Sequence, residues 1–292
     1  MNANQRAIWI DEVLKEVLAA VIRSQPLREA LVLKGAWILN FHLKDHRHSA
    51  DIDATSEPQW VSTIGDLKEQ MAFFEEHLVL ALRRYFEAQS PVRFVLDRIR
   101  IVPNRRRGHP MGWDMIRAEM TIRDNALSGV LGLPPVEIEI AAPERYGPDA
   151  VETHQFFGAP ARMYSLHRIA GEKPRAYLTS LPEYRRKMGG GDREFRVKDL
   201  HDLARIVRAK PTTDHDFWRK AANEFRLACE SRYVDCDGPT TFKQGWDLAR
   251  SRYEADINLD AVTFSEAERA LDSVLQAFAN TGVFPLAFPL PV

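Results

Sequence analysis

The first helical pattern lies between residues 3 and 24, where Ile8, Val13, Leu14, Val17, Leu18 and Val21 recur at helical spacing. Pro26 is expected to end that helix. Leu31-Val32-Leu33 is a short apolar run suited to a buried strand. Lys34-Gly35-Ala36 reads as a turn, and Trp37 to Leu43 as a helix. A polar loop with His46, Arg47 and His48 leads to Asp51-Ile52-Asp53. Pro58 breaks the chain, and Ser62 is expected to cap a long helix reaching about Glu87. Leu67, Met71, Phe74, Leu78 and Leu82 share one face of it.

The period then changes from helical to alternating. Residues 93–102, 114–123 and 136–141 alternate apolar with polar positions and are predicted to be strands. A basic loop containing Arg105-Arg106-Arg107 separates the first two. From Arg162 the strand signals vanish, and residues 162–170, 192–210, 214–231, 242–255 and 265–280 read as helices. The last is assigned a capping box of Ser265 and Glu268. Gly189-Gly190 marks a loop beside the basic run Arg185-Arg186-Lys187, and the proline-rich end after Gly282 suits an extended packing strap. These elements predict an α+β (mixed α/β) fold. A mixed-sheet domain over residues 1–158 precedes a helical domain over 159–292.

Composition narrows the partners rather than naming them. A formal net charge of −1 means that any nucleic-acid contact must come from local basic patches. Cys229 and Cys236 alone make neither a disulfide framework nor a zinc ligand set. No apolar run approaches membrane length and the N-terminus lacks a signal-peptide layout, so a soluble, cytoplasmic protein without membrane contact is expected.

The candidate chemistry begins with Asp51 and Asp53. On a strand, residues i and i+2 point to one face, so both carboxylates could converge on one hard cation while Ile52 faces the core. Glu137 and Glu139 share a face of the 136–141 strand in the same way and could add a third carboxylate. A solvated outer strand face explains that run equally well. Gly35, between strand and helix, would let the backbone approach a phosphate at a helix N-terminus, although an ordinary tight turn also uses glycine. Lys173 and the run Lys198-Asp199-Leu200-His201-Asp202 form a second set. Asp199 and Asp202 fall on one side of a helix, and a solvated charged face is the plain alternative. Pro174, directly after Lys173, leaves that lysine's direction open. His42 and His46 have helical spacing but lack the acid of a zinc-protease motif.

In order along the chain come K-G-A, R-x-S-x-D-I-D, an acidic strand, E-K on a helix and K-D-x-x-D-L. Over residues 30 to 205 this order resembles the AbiEii/AbiGii toxin family, which includes the MenT-type tRNA nucleotidyltransferase toxins; the segment FKQGWDLARSRY also resembles that family's tail. The resemblance implies a polymerase-β-like nucleotidyltransferase domain and a helical C-terminal domain. It implies that Lys34, Gly35 and Ala36 cradle a triphosphate, and that Arg47 and Ser49 steer phosphates or hold the acidic loop. Asp51, Asp53 and Glu139 would bind Mg²⁺ (or Mn²⁺). Lys173 would face the nucleotide, and Asp199 would complete the catalytic set with Lys198 and Asp202 beside it. The implied reaction moves NMP from an NTP to a hydroxyl, with the 3′ end of tRNA as acceptor and a separate antitoxin as protein partner. Transfer onto a protein hydroxyl, or a silent nucleotide- or RNA-binding regulator, are the alternatives.

Overall fold

The computed structural model describes every residue except 46–48, 105–113, 128, 131, 190–194, 257–258, 260 and 291–292. The chain divides into two compact units, Met1–Pro143 with Val151–Tyr164, and Glu144–Ala150 with Ser165–Val292. The expected split at 158/159 instead falls within a hairpin of the first unit.

In the first unit, α1 (Ala3–Arg23) is followed by α2 (Gln25–Ala30), β1 (Leu31–Lys34), α3 (Gly35–Leu43), β2 (Asp51–Ser56), α4 (Pro58–Ile64) and α5 (Leu67–Glu87). Then come β3 (Phe94–Asn104), β4 (Met115–Asp124), β5 (Val136–Ala141), β6 (Val151–Phe156) and β7 (Ala159–Tyr164). The strands form one seven-stranded sheet in the order β3-β4-β5-β2-β1-β7-β6. Only β2–β5 and β1–β7 run parallel, so the sheet is mixed as expected. Ile52, Ala54, Ile116, Ala118, Met120, Ile138 and Ile140 are buried along one face of the sheet. Helices α1 and α5 pack on the sheet through Val13, Leu14, Val17, Leu18, Phe74, Leu78, Leu82 and Phe86, all buried. Each such side chain contributes roughly 1.5–3 kcal/mol of burial.

Several expected boundaries move for local reasons. Helix α1 and strand β2 end just before Pro26 and Pro58, as expected, and each proline also opens the next helix, because proline at the first turn forfeits no hydrogen bond. The cap of α5 is Asp66, not Ser62. Asp66 accepts from the Lys68 and Glu69 amides and completes a capping box with Glu69, while the Ser62 hydroxyl donates to the Gln59 carbonyl in α4. The largest difference is the β6–β7 hairpin, since residues 162–164 were expected to be helical. Its two-residue turn, Phe157-Gly158, has both φ angles positive.

In the second unit, α6 (Leu166–Leu178), α7 (Pro182–Lys187), α8 (Val197–Ala209), α9 (His215–Arg232), α10 (Trp246–Ala255) and α11 (Phe264–Asn280) pack together. Helix α6 continues through Pro174. Gly171 allows α6 and α9 to touch, since a Cβ there would lie 2.5 Å from the Ala221 carbonyl oxygen. Thr263, not Ser265, caps α11 by accepting from the Glu266 amide. Gly245, at φ 65°, separates a 3₁₀ turn (Pro239–Lys243) from α10 where one helix over 242–255 was expected. The C-terminal segment is a strap as predicted, with Leu286 buried and bridged to Cys236. Both cysteines are free and buried.

Glu144 anchors the 144–150 segment inside this unit. Its carboxylate is fully buried and accepts from Arg168 at 2.9 Å, Arg232 at 2.8 Å and Arg175 at 3.4 Å. Removing one member of such a network leaves buried charge uncompensated. Glu144→Ala is expected to lower stability by about 3–5 kcal/mol. Urea unfolding followed by tryptophan emission would check this, and an unchanged midpoint would contradict it.

Candidate active site

Strand pairing gathers the acids predicted from sequence. In β2–β5, Asp53 stands opposite Glu139 and Asp51 opposite Glu137. Because opposed residues on neighbouring strands share a face at about 4.8 Å, the four carboxylates form two adjacent pairs. The rows extend across the sheet: Lys34 pairs with Asp53 and Arg117 with Glu139, while Glu119 pairs with Glu137 and Arg100 with Glu119. One row therefore reads Lys34, Asp53, Glu139, Arg117, and the next Asp51, Glu137, Glu119, Arg100. Basic residues bracket the acids of the first row, and Arg100 ends the second. Ile52 faces the core, as predicted, with 1% exposure.

Gly35 stands where β1 hands over to α3, as expected. It is the first residue of α3, at φ 72°, directly after Lys34. A Cβ at this position would stand 1.9 Å from Asp53 Oδ2 and 2.6 Å from its Cγ. Glycine is required by both the backbone angle and the carboxylate. Ala36, next in the helix, is buried. The Asp51 side is held as well: Ser49 Oγ donates to Asp51 Oδ1 at 3.1 Å, and the Trp37 indole N–H donates to the Asp51 carbonyl at 3.1 Å. Arg47, His46 and His48 lie outside the described residues, as does the Arg105–Arg107 loop. His42 donates through Nε2 to the Tyr164 carbonyl at 2.8 Å, and burial lowers its pKa.

The donor set fits a hard divalent cation in its chemistry: three carboxylates, no sulfur, and a glycine opening against one of them. Burial, and then the charges of Asp53 and Asp51, push the Glu139 carboxyl up to about 7, only partly opposed by Arg117. Such crowding of negative charge is what a cation would relieve. Among the described residues, no three His, Cys, Asp or Glu side chains are already gathered closely enough to hold an ion. Binding would therefore require side-chain rotation about fixed strand positions.

The second unit brings together most of the other set. Lys173 Nζ, on α6, lies 3.0 Å from Asp199 Oδ1 and 2.7 Å from Asp202 Oδ2, both on α8. Burial works against the Lys173 ammonium, but Asp202 and Asp199 outweigh it and hold its pKa above the usual lysine value. Burial likewise pushes Asp199 up, yet Arg196 at 2.6 Å and Lys173 keep it below the usual carboxylate range. Arg205 adds a contact to Asp202 at 3.2 Å. Lys198 is exposed on α8. Arg186 is the exposed residue of the Arg185–Lys187 run, because Lys187 bonds Asp235 and Arg185 lies over the Phe195 ring.

Sequence reasoning missed Arg117, Glu119 and Arg196. Alternation places Arg117 and Glu119 on the polar face of their strand, but only the β4–β5 register puts them beside Glu139 and Glu137. Arg196 directly precedes α8, three residues before Asp199, a spacing visible in the sequence.

Two outcomes follow from the crowded acids. Gly35→Ala should cost about 1–2 kcal/mol from its left-handed φ alone and displace Asp53. Divalent-cation affinity measured by calorimetry should fall with it, and unchanged affinity would contradict the contact. Glu139 has a folded pKa of about 7 against 4.5 ordinarily. Between these values the folded state therefore holds the extra proton, so cation-free protein should lose stability as pH rises from 4.5 to 7. Thermal unfolding in chelator should show this slope, and Glu139→Gln should flatten it.

No curated protein matches the chain. One similar solved structure is an antigenic nucleotidyltransferase-like protein from Paracoccidioides brasiliensis, 15% identical, with 80% of this chain and 93% of that one covered at a TM-score of 0.36. At that score the likeness carries none of the argument. The family described as "Nucleotidyl transferase AbiEii toxin, Type IV TA system" matches residues 16–284. That span is nearly the whole chain and includes every candidate residue above. The chain belongs to the AbiEii nucleotidyltransferase toxin family.

Proposed function

We propose that this nucleotidyltransferase moves a nucleoside monophosphate from an NTP to the 3′-terminal hydroxyl of tRNA, using Mg²⁺ or Mn²⁺ held by Asp51, Asp53 and Glu139. The observation that carries the reading is the β2–β5 register, which pairs Asp53 with Glu139 beside the start of α3. Two divalent ions, when bound, supply charge stabilisation for the attacking and leaving oxygens of an in-line displacement.

The chain's own residues do the positioning. Ser49 orients the Asp51 carboxylate, and Gly35 leaves the volume that Asp53 occupies. The first amides of α3, at Gly35 and Ala36, offer donors to an anionic phosphate, with Lys34 supplying a neighbouring positive charge. Arg47, Lys198 and Asp202 keep the nucleotide-handling roles that the resemblance implies. Lys173 and Asp199, which pair at 3.0 Å, keep the nucleotide-facing and site-completing roles that the resemblance implies. The family's type IV toxin–antitoxin description also supports an antitoxin protein as partner.

The test is incorporation of labelled NTP into total tRNA and total protein, with and without Mg²⁺. The wild type should label tRNA at its 3′ end, and Asp53→Ala should reduce labelling by roughly a hundredfold or more. Label in protein alone would overturn the acceptor. Labelling that survives Asp53→Ala would overturn the metal assignment.

A further inference from the structure

Six rings form a continuous chain across α3 and the β6–β7 hairpin. Trp37 meets Phe157 edge-on at 6.2 Å, and Phe157 lies 4.5 Å from Phe156. Phe156 meets Phe41 at 5.3 Å, Phe41 meets His154 at 5.3 Å, and His42 lies 5.5 Å from Phe41 and 6.0 Å from His154. All six side chains are half-buried. A cluster serving only as core would be covered, as the Phe74, Phe86 and Phe94 rings are.

The hairpin tip breaks a local rule to hold one of these rings. Phe157 has φ 44°, a left-handed conformation that costs a bulky residue about 1–2 kcal/mol and is normally given to glycine or asparagine. The Arg23 guanidinium holds the strained peptide by donating to the Phe157 carbonyl at 2.7 Å. The chain thus places a phenyl ring beside Trp37 where a smaller residue would turn more easily. The cluster also touches the acids, because the Trp37 indole donates to the Asp51 carbonyl.

We infer that these rings are a stacking platform for unpaired bases at the end of the acceptor strand. Aromatic faces bind bases without reading their sequence, which suits an acceptor presented by a single-stranded end. The platform's length favours a strand over the base of the incoming nucleotide. Phe41 lies about 9 Å along the helix from Gly35, farther than one stacked base spans. Arg23 and Lys44, exposed on α1 and at the end of α3, place positive charge nearby for the strand's phosphates. Glu152, at 2.6 Å from His154, is the opposing acid on this surface.

This inference rests on the proposed reaction for its choice of acceptor, and the test separates the two. The probe is a short single-stranded RNA with 2-aminopurine as its 3′-terminal base, titrated with the full chain. Wild-type protein should quench its emission through stacking. Phe41→Leu and Phe156→Leu, which keep bulk but lose the ring, should bind roughly tenfold or more weakly. Their Mg²⁺-NTP affinity should stay unchanged. Equal RNA binding by wild type and both variants would overturn the platform. Weakened NTP binding with RNA binding intact would give the rings to the incoming base and overturn the acceptor assignment. RNA quenching that depends on the rings, without any nucleotide incorporation by the wild type, would support the platform while removing the proposed reaction.

Discussion

The first unit depends on a register that brings like charges together. A one-residue slip of β2 against β5 would turn Ile52 and Ala54, or Ile138 and Ile140, out of the core. Several buried aliphatic side chains oppose that slip, each contributing more than an exposed charge repulsion costs. The apolar face therefore fixes the polar one: Asp51 and Asp53 must stand beside Glu137 and Glu139. Burial, and then the neighbouring charges of Asp53 and Asp51, raise the Glu139 pKa at this site.

Everything next to the acids accommodates this arrangement. Lys34 and Arg117 bracket one carboxylate row and Arg100 ends the next. Gly35 starts α3 with no side chain because Asp53 occupies that volume. The same helix then carries Trp37 and Phe41 away from the acids and into the aromatic surface. In the second unit the logic is reversed. There Lys173, Asp199, Asp202 and Arg196 neutralise one another, and Glu144 does the same among three arginines.

Much of this was legible in the sequence because it is local. Alternation located β3, β4 and β5, and helical spacing located α1, α9 and α11. The i, i+2 and i, i+3 spacings put Asp51 with Asp53 and Asp199 with Asp202. What was missed depends on distant pairing or on competing local signals. Nothing local in RAEMT says that Arg117 will stand opposite Glu139. The strand VETHQF is short and polar, APARMY is short and lacks β-branched residues, and Phe-Gly is a poor hairpin signal, so β6 and β7 read as something else. Ser62 and Asp66, like Thr263 and Ser265, are both chemically good caps; the stop at Gly65 and the packing of Phe264 decided between them. The close approach of Asp53 to Gly35 was not legible, because it spans eighteen residues of sequence.

The central claim is that the core-enforced acid cluster is a divalent-cation site. The most direct measurement is a crystal structure with Mn²⁺ and a non-hydrolysable NTP, the ion located by anomalous scattering. The account predicts Mn²⁺ at about 2.0–2.3 Å from carboxylate oxygens of Asp51 and Asp53, with Glu139 rotated toward it. Ordered nucleotide with no ion at these carboxylates, or with the ion held elsewhere, would contradict it.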